Sequence, residues 1–361
     1  MSATMDDVAK YAAVSKSTVS LALNDKPGIS PALKAAVIEA ADALGYQHPK
    51  KRQSAQRAAQ STPTAAAATP CSIAIVHAQS GHKAEQGYVP TDLYLNYLTG
   101  IKRFAEAAGL QLTIITDYDE TDRLQLAFHL VHNDLSSFDG IILMGGSASQ
   151  NSRLVTQILE QDIPAVALSR VWPELPISTV GPNYYQQVRL ALEHLLGLGH
   201  RQIGFVARDH DRRFEWFRWR LDAYQAIMRK TIGDVDKGLI AIGTDGAATA
   251  TELLTRRPDV TAIFAINDEC ALEVFDGAQR VGRQIPQQLS VVGQDNVIEL
   301  MGDTPMLTTV GFPHKEVGAL AAELLLHRLR NPEISHCNLW VQCALVLRTS
   351  CAQPACDKPA H

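Results

Sequence analysis

The chain is short of the residues and motifs that mark several large classes of protein. Aromatic residues fill 6% of its 361 positions, and no apolar run approaches the ~18 residues that cross a bilayer. Asp6 and Asp7 come early and no apolar segment follows a basic start, so a secretion signal is missing and a cytoplasmic protein is expected. The six cysteines, at positions 71, 270, 337, 343, 351 and 356, form no Cys-x-x-Cys pair. That argues against a zinc ribbon or a redox dithiol and leaves scattered reduced thiols, with no metal or other cofactor expected. Enzyme signatures are missing as well. There is no Gly-x-Ser-x-Gly and no His-Glu-x-x-His. The glycines of 197–204 (GLGHRQIG) do not spell Gly-x-Gly-x-x-Gly, and they join a helix to a strand, the wrong order for a dinucleotide site. GGSASQ (145–150) follows a strand but lacks the lysine of a phosphate-binding loop. A nucleotide-dependent enzyme on a doubly wound fold is therefore the rival reading, and it is not the expected one. What is present is hydrophobic residue, 46% of the chain, enough for a sizeable core and too much for global disorder.

The net charge of −5 hides an asymmetry. Residues 1–60 balance to +3 and the remainder to −8. Between Tyr46 and Gln60 stand Lys50, Lys51, Arg52 and Arg57 without one acid. A basic end on an acidic body fits a polyanion contacted at that end only, with a solvated charged linker as the plainer alternative.

Residues 1–48 read as a compact helical unit. Residues 49–70 (PKKRQSAQRAAQSTPTAAAATP) carry no core-forming side chain and read as a linker. From residue 71, short apolar runs at 73–76, 112–116, 140–144, 165–168, 203–207, 262–266 and 289–293 alternate with amphipathic stretches such as 93–108, 185–198 and 270–281. Strands spaced by helices imply parallel sheets with right-handed crossovers, and this many strands imply two doubly wound subdomains. We place the first at about 71–182 and 311–335, the second at about 183–310 and 336–347, and a flexible tail at 348–361. Ligands of such sheets bind beyond the carboxyl ends of the strands, here in the cleft between subdomains.

The helical unit has the marks of a helix-turn-helix. Thr4 caps a first helix, with Asp7 three residues on completing a capping-box-like pair. Ala9 is small where two helices must approach, and Val14 and Val19 are apolar where they must touch. Ser15 caps a second helix at about 16–23. Ser30 and Pro31 open a third, which buries Leu33, Val37, Ala41 and Leu44 and ends at Gly45. Ala13 stands at the turn, where the backbone is usually left-handed and glycine is usual.

These residues resemble the lactose-repressor/galactose-repressor (LacI/GalR) family. DVAKYAAVSKSTVSLALN and ALGY match its headpiece, and the likeness continues through HLLGLGHRQIGFV (194–206), AIFAINDECAL (262–272), IPQQLSVVGQDN (285–296) and MLTTV (306–310). The resemblance implies an all-α helix-turn-helix headpiece on an α/β body of two periplasmic-binding-protein-like subdomains. It also implies a ligand-responsive, sequence-specific regulator, a homodimer on a pseudo-palindromic DNA operator. Helix two would lie in the major groove. Lys16, Ser17 and Leu21 would then meet base edges. Thr4, Ser15, Thr18, Ser20 and Asn24 would bond phosphates. The family's linker carries a leucine wedge for the minor groove; here no register supplies it, and Lys50, Lys51 and Arg52 offer phosphate contacts in its place.

For the body, the resemblance points to Arg220 in FEWFRWRLDAY (214–224), Asn267 after the strand AIFAI, and Asp295 after SVVGQ as ligand contacts. Ala223 replaces the usual glycine beside Arg220. Asp268 is the expected cap of the following helix, which leaves Asn267 for the ligand. Ser169, His77 and Trp216 are further candidates, Ser169 standing where some relatives carry a ligand-bonding Asp. The expected effector is a sugar or sugar derivative, with a purine or nucleoside as the alternative, and the expected activity is repression.

Overall fold

A computed structural model describes residues 4–23, 30–44, 71–79, 92–118, 135–144, 153–170, 172, 174–297 and 306–354. The chain divides into two units, residues 1–69 and 70–361.

The first unit holds three helices, α1 (Met5–Tyr11), α2 (Lys16–Leu23) and α3 (Pro31–Ala43). Thr4 caps α1 as expected: the Asp7 amide donates to its hydroxyl at 3.3 Å, and the Asp7 carboxylate accepts from the Thr4 amide at 2.8 Å. Ala13 makes the turn in the left-handed region, with φ of 51°. A helical Ala is cheap, but a left-handed one costs about 1–2 kcal/mol. Val8, Ala9, Val19, Ala22, Val37, Ala40 and Ala41 close around the small core, with Val14 and Leu44 half-buried against it. Small residues dominate because three short helices must cross closely.

The second unit contains two six-stranded sheets. Strands β1 (Ser72–Gln79), β2 (Gln111–Tyr118), β3 (Gly140–Met144), β4 (Ala165–Leu168), β5 (Ser178–Pro182) and β11 (Asn338–Val341) form the first, in the order β11-β5-β4-β3-β1-β2. Strands β6 (Ile203–Arg208), β7 (Ile240–Gly243), β8 (Ala262–Ala265), β9 (Ser290–Asp295), β10 (Thr308–Gly311) and β12 (Ala344–Val346) form the second, in the order β12-β10-β9-β8-β6-β7. All pairings are parallel except β10 with β12. Strands covered on both faces must be apolar throughout, and β3, β4 and β8 are buried at every residue.

Helices α4 (Asp92–Ala108), α5 (Arg153–Glu160) and α10 (His314–Arg330) cover the first sheet, and α6 (Tyr184–Gly197), α7 (Glu215–Ile232), α8 (Gly246–Arg256) and α9 (Asp268–Arg280) the second. Helices α4 and α10 cross at glycines: a Cβ on Gly100 would lie 1.8 Å from the Lys315 carbonyl, and one on Gly318 would lie 2.2 Å from that of Tyr97. The chain passes between the sheets at 182–184, 311–314 and 341–344.

Two expectations need correction. Residues 338–341 return to the first sheet, beside β5, rather than staying in the second. The reason is register: Asn338 to Val341 pair in parallel with Thr179 to Pro182, giving β5 a neighbour on its open side. The described part of the expected tail is packed, not flexible. The Ser350 hydroxyl accepts from the Thr308 amide at 2.8 Å and Ser350 is fully buried, because 348–352 runs alongside β9 and β10.

Candidate functional site

In the headpiece, Ser15 opens α2 by accepting from the Thr18 amide at 3.1 Å, and its hydroxyl lies 2.8 Å from that of Thr18. The first turn of α2 carries no acidic residue and begins with an exposed Lys16, which leaves the positive end of the helix open to an anion. Thr4 and Ser15 both accept capping bonds through their hydroxyl oxygens. Ser17, Ser20 and Leu21 lie on α2, but their side chains are outside what is described; Asn24, Lys50, Lys51 and Arg52 lie outside the described residues.

In the body, α7 and the end of β9 bring two of the predicted residues together. Arg220 is 2% exposed. Its Nη1 donates to the Ile266 carbonyl at 2.7 Å and to Asp295 Oδ2 at 3.3 Å. Its Nη2 donates to Gln187 Oε1 at 3.0 Å and to Asp295 Oδ1. Burial alone would depress the guanidinium, but the Asp295 carboxylate outweighs it and holds the pKa above its usual value. Gln187, fully buried on α6, closes the ring by donating to Asp295 Oδ1 and to the Val310 carbonyl, each at 3.1 Å. Trp216 and Tyr184 supply aromatic faces 5.0 and 5.5 Å from the guanidinium.

The cap expected of Asp268 is supplied by Asn267 instead. Asn267 is the cap of α9, accepting from the Cys270 amide at 2.8 Å. Asp268 is fully buried and turns instead to β10 and the turn after β9, accepting from the Thr309 hydroxyl at 2.6 Å and the Val297 amide at 2.9 Å. The cap falls to Asn267 because it is the residue with extended backbone, φ −154° and ψ 174°. Its Oδ1 is committed to the cap, so its amide nitrogen is the group left for a ligand.

From the first sheet, Ser169 reaches the same cluster. Its hydroxyl lies 2.6 Å from that of Tyr97, and its carbonyl accepts from the Tyr184 hydroxyl at 2.9 Å. Burial pushes both phenols well up, so both stay protonated donors. Ser169, Asp295 and Asn296 all have left-handed backbones, with φ of 52°, 96° and 53°. Such conformations gather at ligand sites, where the surrounding structure holds them. His77 lies on β1; its side chain is not described.

Sequence reasoning missed a second arm. Arg170 Nη1 donates to Glu215 Oε2 at 2.5 Å, and Trp172 Nε1 to Glu215 Oε1 at 3.1 Å, so residues following β4 grip the first residue of α7. The Arg170 guanidinium lies 6.0 Å from the Phe214 ring, Phe214 stacks on Trp216 at 5.3 Å and 14°, and Trp216 faces Arg220. Cation, ring, ring and cation thus run in sequence between the subdomains. Gln187 was findable: it occupies an apolar position of α6 four residues before Ala191 and eight before Leu195. Gln294 is buried with neither amide atom bonded, and nothing described explains an amide there. A cleft of about 620 Å³ opens at the second crossover, lined by Arg103, Asn296, Phe312 and Lys315 among others. Arg220, Asp295 and Asn267 do not line it; Arg220 and Asp295 are closed on each other, and Asn267 on the start of its own helix.

A capped helix-turn-helix and a two-sheet body with a polar cluster between the sheets are what the family comparisons meet. The family model of bacterial regulatory proteins, lacI family, matches residues 4–49, and that of a periplasmic binding protein-like domain matches residues 192–351. The HTH-type transcriptional regulator DegA of Bacillus subtilis is 30% identical over 331 residues, 88% of this chain and 89% of its own. The chain belongs to the lacI family of transcriptional regulators. Likewise similar is the ribose operon repressor of Haemophilus influenzae, 28% identical over 96% of this chain and 98% of its own. Among solved structures, the complex of the transcriptional regulator CelR with cellobiose aligns with a TM-score of 0.66 at 25% identity, covering 96% of this chain and 99% of that one. The lacI-family chain described here is therefore a DNA-binding regulator built as a helix-turn-helix joined to a periplasmic-binding-protein-like body. No helix among the described residues is long and apolar enough to cross a membrane.

Proposed function

We propose that this regulator is a repressor released from, or driven onto, its operator by a sugar or sugar derivative. The observation that carries the reading is the Arg220–Asp295 pair at the carboxyl end of β9, floored by Trp216 and Tyr184 and flanked by Asn267. A planar fork of donors beside a carboxylate suits vicinal hydroxyls, and an aromatic face suits a sugar ring. Ser169 and Asn267 add a hydroxyl and an amide, and His77 lies on β1, between β3 and β2 in the first sheet. The named ligands of similar regulators, cellobiose in one structure and ribose in one operon name, support a carbohydrate. The Phe214–Trp216 stack supports a second reading, a nucleoside whose base lies against it.

On the DNA side the reading is a homodimer that sets two α2 helices in successive major grooves of a pseudo-palindromic site. Lys16, Ser17 and Leu21 read bases, while Ser15, Thr18, Ser20 and Asn24 bond phosphates. Thr4 stands at the N-terminus of α1 with its amide and its hydroxyl both bonded to Asp7. A thermal-shift panel of sugars and nucleosides on wild type and on Asp295→Ala tests the ligand assignment. A sugar shift that survives Asp295→Ala removes Asp295 from the site, and a shift by nucleosides alone selects the second reading.

A further inference from the structure

Two motifs of the second sheet, SVVGQDN and LTTV, remain without a role, and both converge on the backbone that carries Asp295. Asp295 and Asn296 are consecutive left-handed residues, neither of them glycine, with φ of 96° and 53°. Such backbone is strained for residues other than glycine, so neighbouring groups must hold the pair in place. Three contacts do so. From α9, Asp268 accepts the Val297 amide and the Thr309 hydroxyl, at 2.9 and 2.6 Å. From β10, Thr309 Oγ1 accepts the Asn296 amide at 3.4 Å, a long bond that aligns the turn with the strand. From the segment after β12, Arg348 Nη2 donates to Asn296 Oδ1 at 2.8 Å while Nη1 donates to the Leu307 carbonyl at 2.8 Å. The Arg348 amide is fixed in turn by Thr308 Oγ1 at 3.0 Å.

Gly293 belongs to the same device. A Cβ there would lie 2.2 Å from Asp268 Oδ1, so only glycine lets that carboxylate lie against β9. The glycine, the two threonines and Asp268 thus serve one purpose, and the segment expected to be a loose tail supplies the final grip.

We propose that Asp268 and Arg348 are positioning residues for Asp295, clamping the left-handed Asp295–Asn296 turn from the α9 side and from the C-terminal side. The proposal rests on the reading that Asp295 touches the ligand. Neither residue touches ligand itself. Their effect is to fix where the Asp295 carboxylate points, and thus whether it meets both Arg220 and a bound hydroxyl.

The test uses the full chain and four variants, Arg348→Ala, Thr309→Val, Arg348→Lys and Asp295→Ala. Arg348→Ala removes both donors, and Thr309→Val removes the hydroxyl shared by Asp268 and the Asn296 amide at nearly constant volume. Hydrogen exchange of the segment 293–297 is the first readout and needs no ligand. The proposal expects exchange there to quicken roughly tenfold or more in both variants, with 203–206 and 262–265 unchanged. Arg348→Lys, which can serve one acceptor but not both, should fall between wild type and Arg348→Ala. Unchanged exchange at 293–297 overturns the clamp. Titration of cellobiose and of ribose is the second readout, on wild type, Arg348→Ala and Asp295→Ala. Loss of sugar affinity in Arg348→Ala approaching that of Asp295→Ala supports positioning. Sugar affinity that is lost in Asp295→Ala yet intact in Arg348→Ala overturns it. Affinity indifferent to Asp295→Ala, with quickened exchange in Arg348→Ala, sinks the ligand reading and leaves the clamp standing.

Discussion

The Arg220–Asp295 pair lends itself to a double-mutant cycle. Arg220 is 2% exposed and the Asp295 side chain 16%, so the cation gains little water when its partner is removed. Replacing Asp295 by Ala leaves a buried cation with the Gln187 and Ile266 oxygens and the Trp216 and Tyr184 ring faces, but without its carboxylate. Breaking such a pair from one side costs about 3–5 kcal/mol. At about 2–4 °C per kcal/mol for a body of this size, the melting temperature should fall by roughly 10 °C. Arg220→Met leaves the carboxylate partly served by Gln187 Nε2 and should cost less than Asp295→Ala. The double variant, with both charges gone, should lose clearly less than the two single losses together, with a coupling of about 2–3 kcal/mol. Calorimetric melts of the four proteins without ligand give the cycle. Additive losses, within about 0.5 kcal/mol, would refute the claim that these side chains are each other's main partners.

Three further predictions follow from single features. Burial pushes the Asp268 carboxyl up to about 7, above its ordinary 3.8, despite the opposing Thr309 bond. The folded body then holds a proton that the unfolded chain releases between those values. This contribution, up to about 4 kcal/mol, is complete below pH 4 and lost as pH rises through 7, so relative to Asp268→Asn the wild type should lose melting temperature between pH 5 and 8; identical pH profiles would contradict it. Ala13→Gly relieves the left-handed turn and should raise headpiece stability by about 0.5–1 kcal/mol, the relief exceeding the added chain entropy; a lower melting point of residues 1–48 would count against it. Neutralising Lys50, Lys51 and Arg52 should flatten the salt dependence of DNA binding by about one unit per lost phosphate contact; an unchanged slope would show that the linker is only a tether.

Periodicity made most of the architecture legible. The runs at 73–76, 140–144, 165–168 and 262–266 lie on strands because a doubly covered parallel sheet leaves no polar alternation to obscure them. Strand β11 escaped notice for the opposite reason: three of its four residues are exposed, so NLWV has the texture of a loop. The tail escaped because its order comes from Ser350 and Arg348 bonding to β9 and β10, contacts that no local pattern records. In the headpiece the caps were readable, since capping is a contact between residues three apart. In the body, Arg220 and Asp295 were singled out but not their bond, which joins residues 75 apart. Arg170, Trp172 and Glu215 meet only where the two subdomains face each other, and nothing in their local sequence signals it.

The central claim is that ligand binding in the body and DNA binding by the headpiece are linked. The direct measurement takes a DNA site selected from a random pool by the full chain and titrates it with protein by fluorescence anisotropy, with and without the sugar that gives the largest thermal shift. Linkage between the two sites predicts a two-fold-related DNA site and a change in DNA affinity of about 5–150-fold, matched by an equal change in sugar affinity when DNA is present. A sugar that binds the body while leaving DNA affinity unchanged would contradict it.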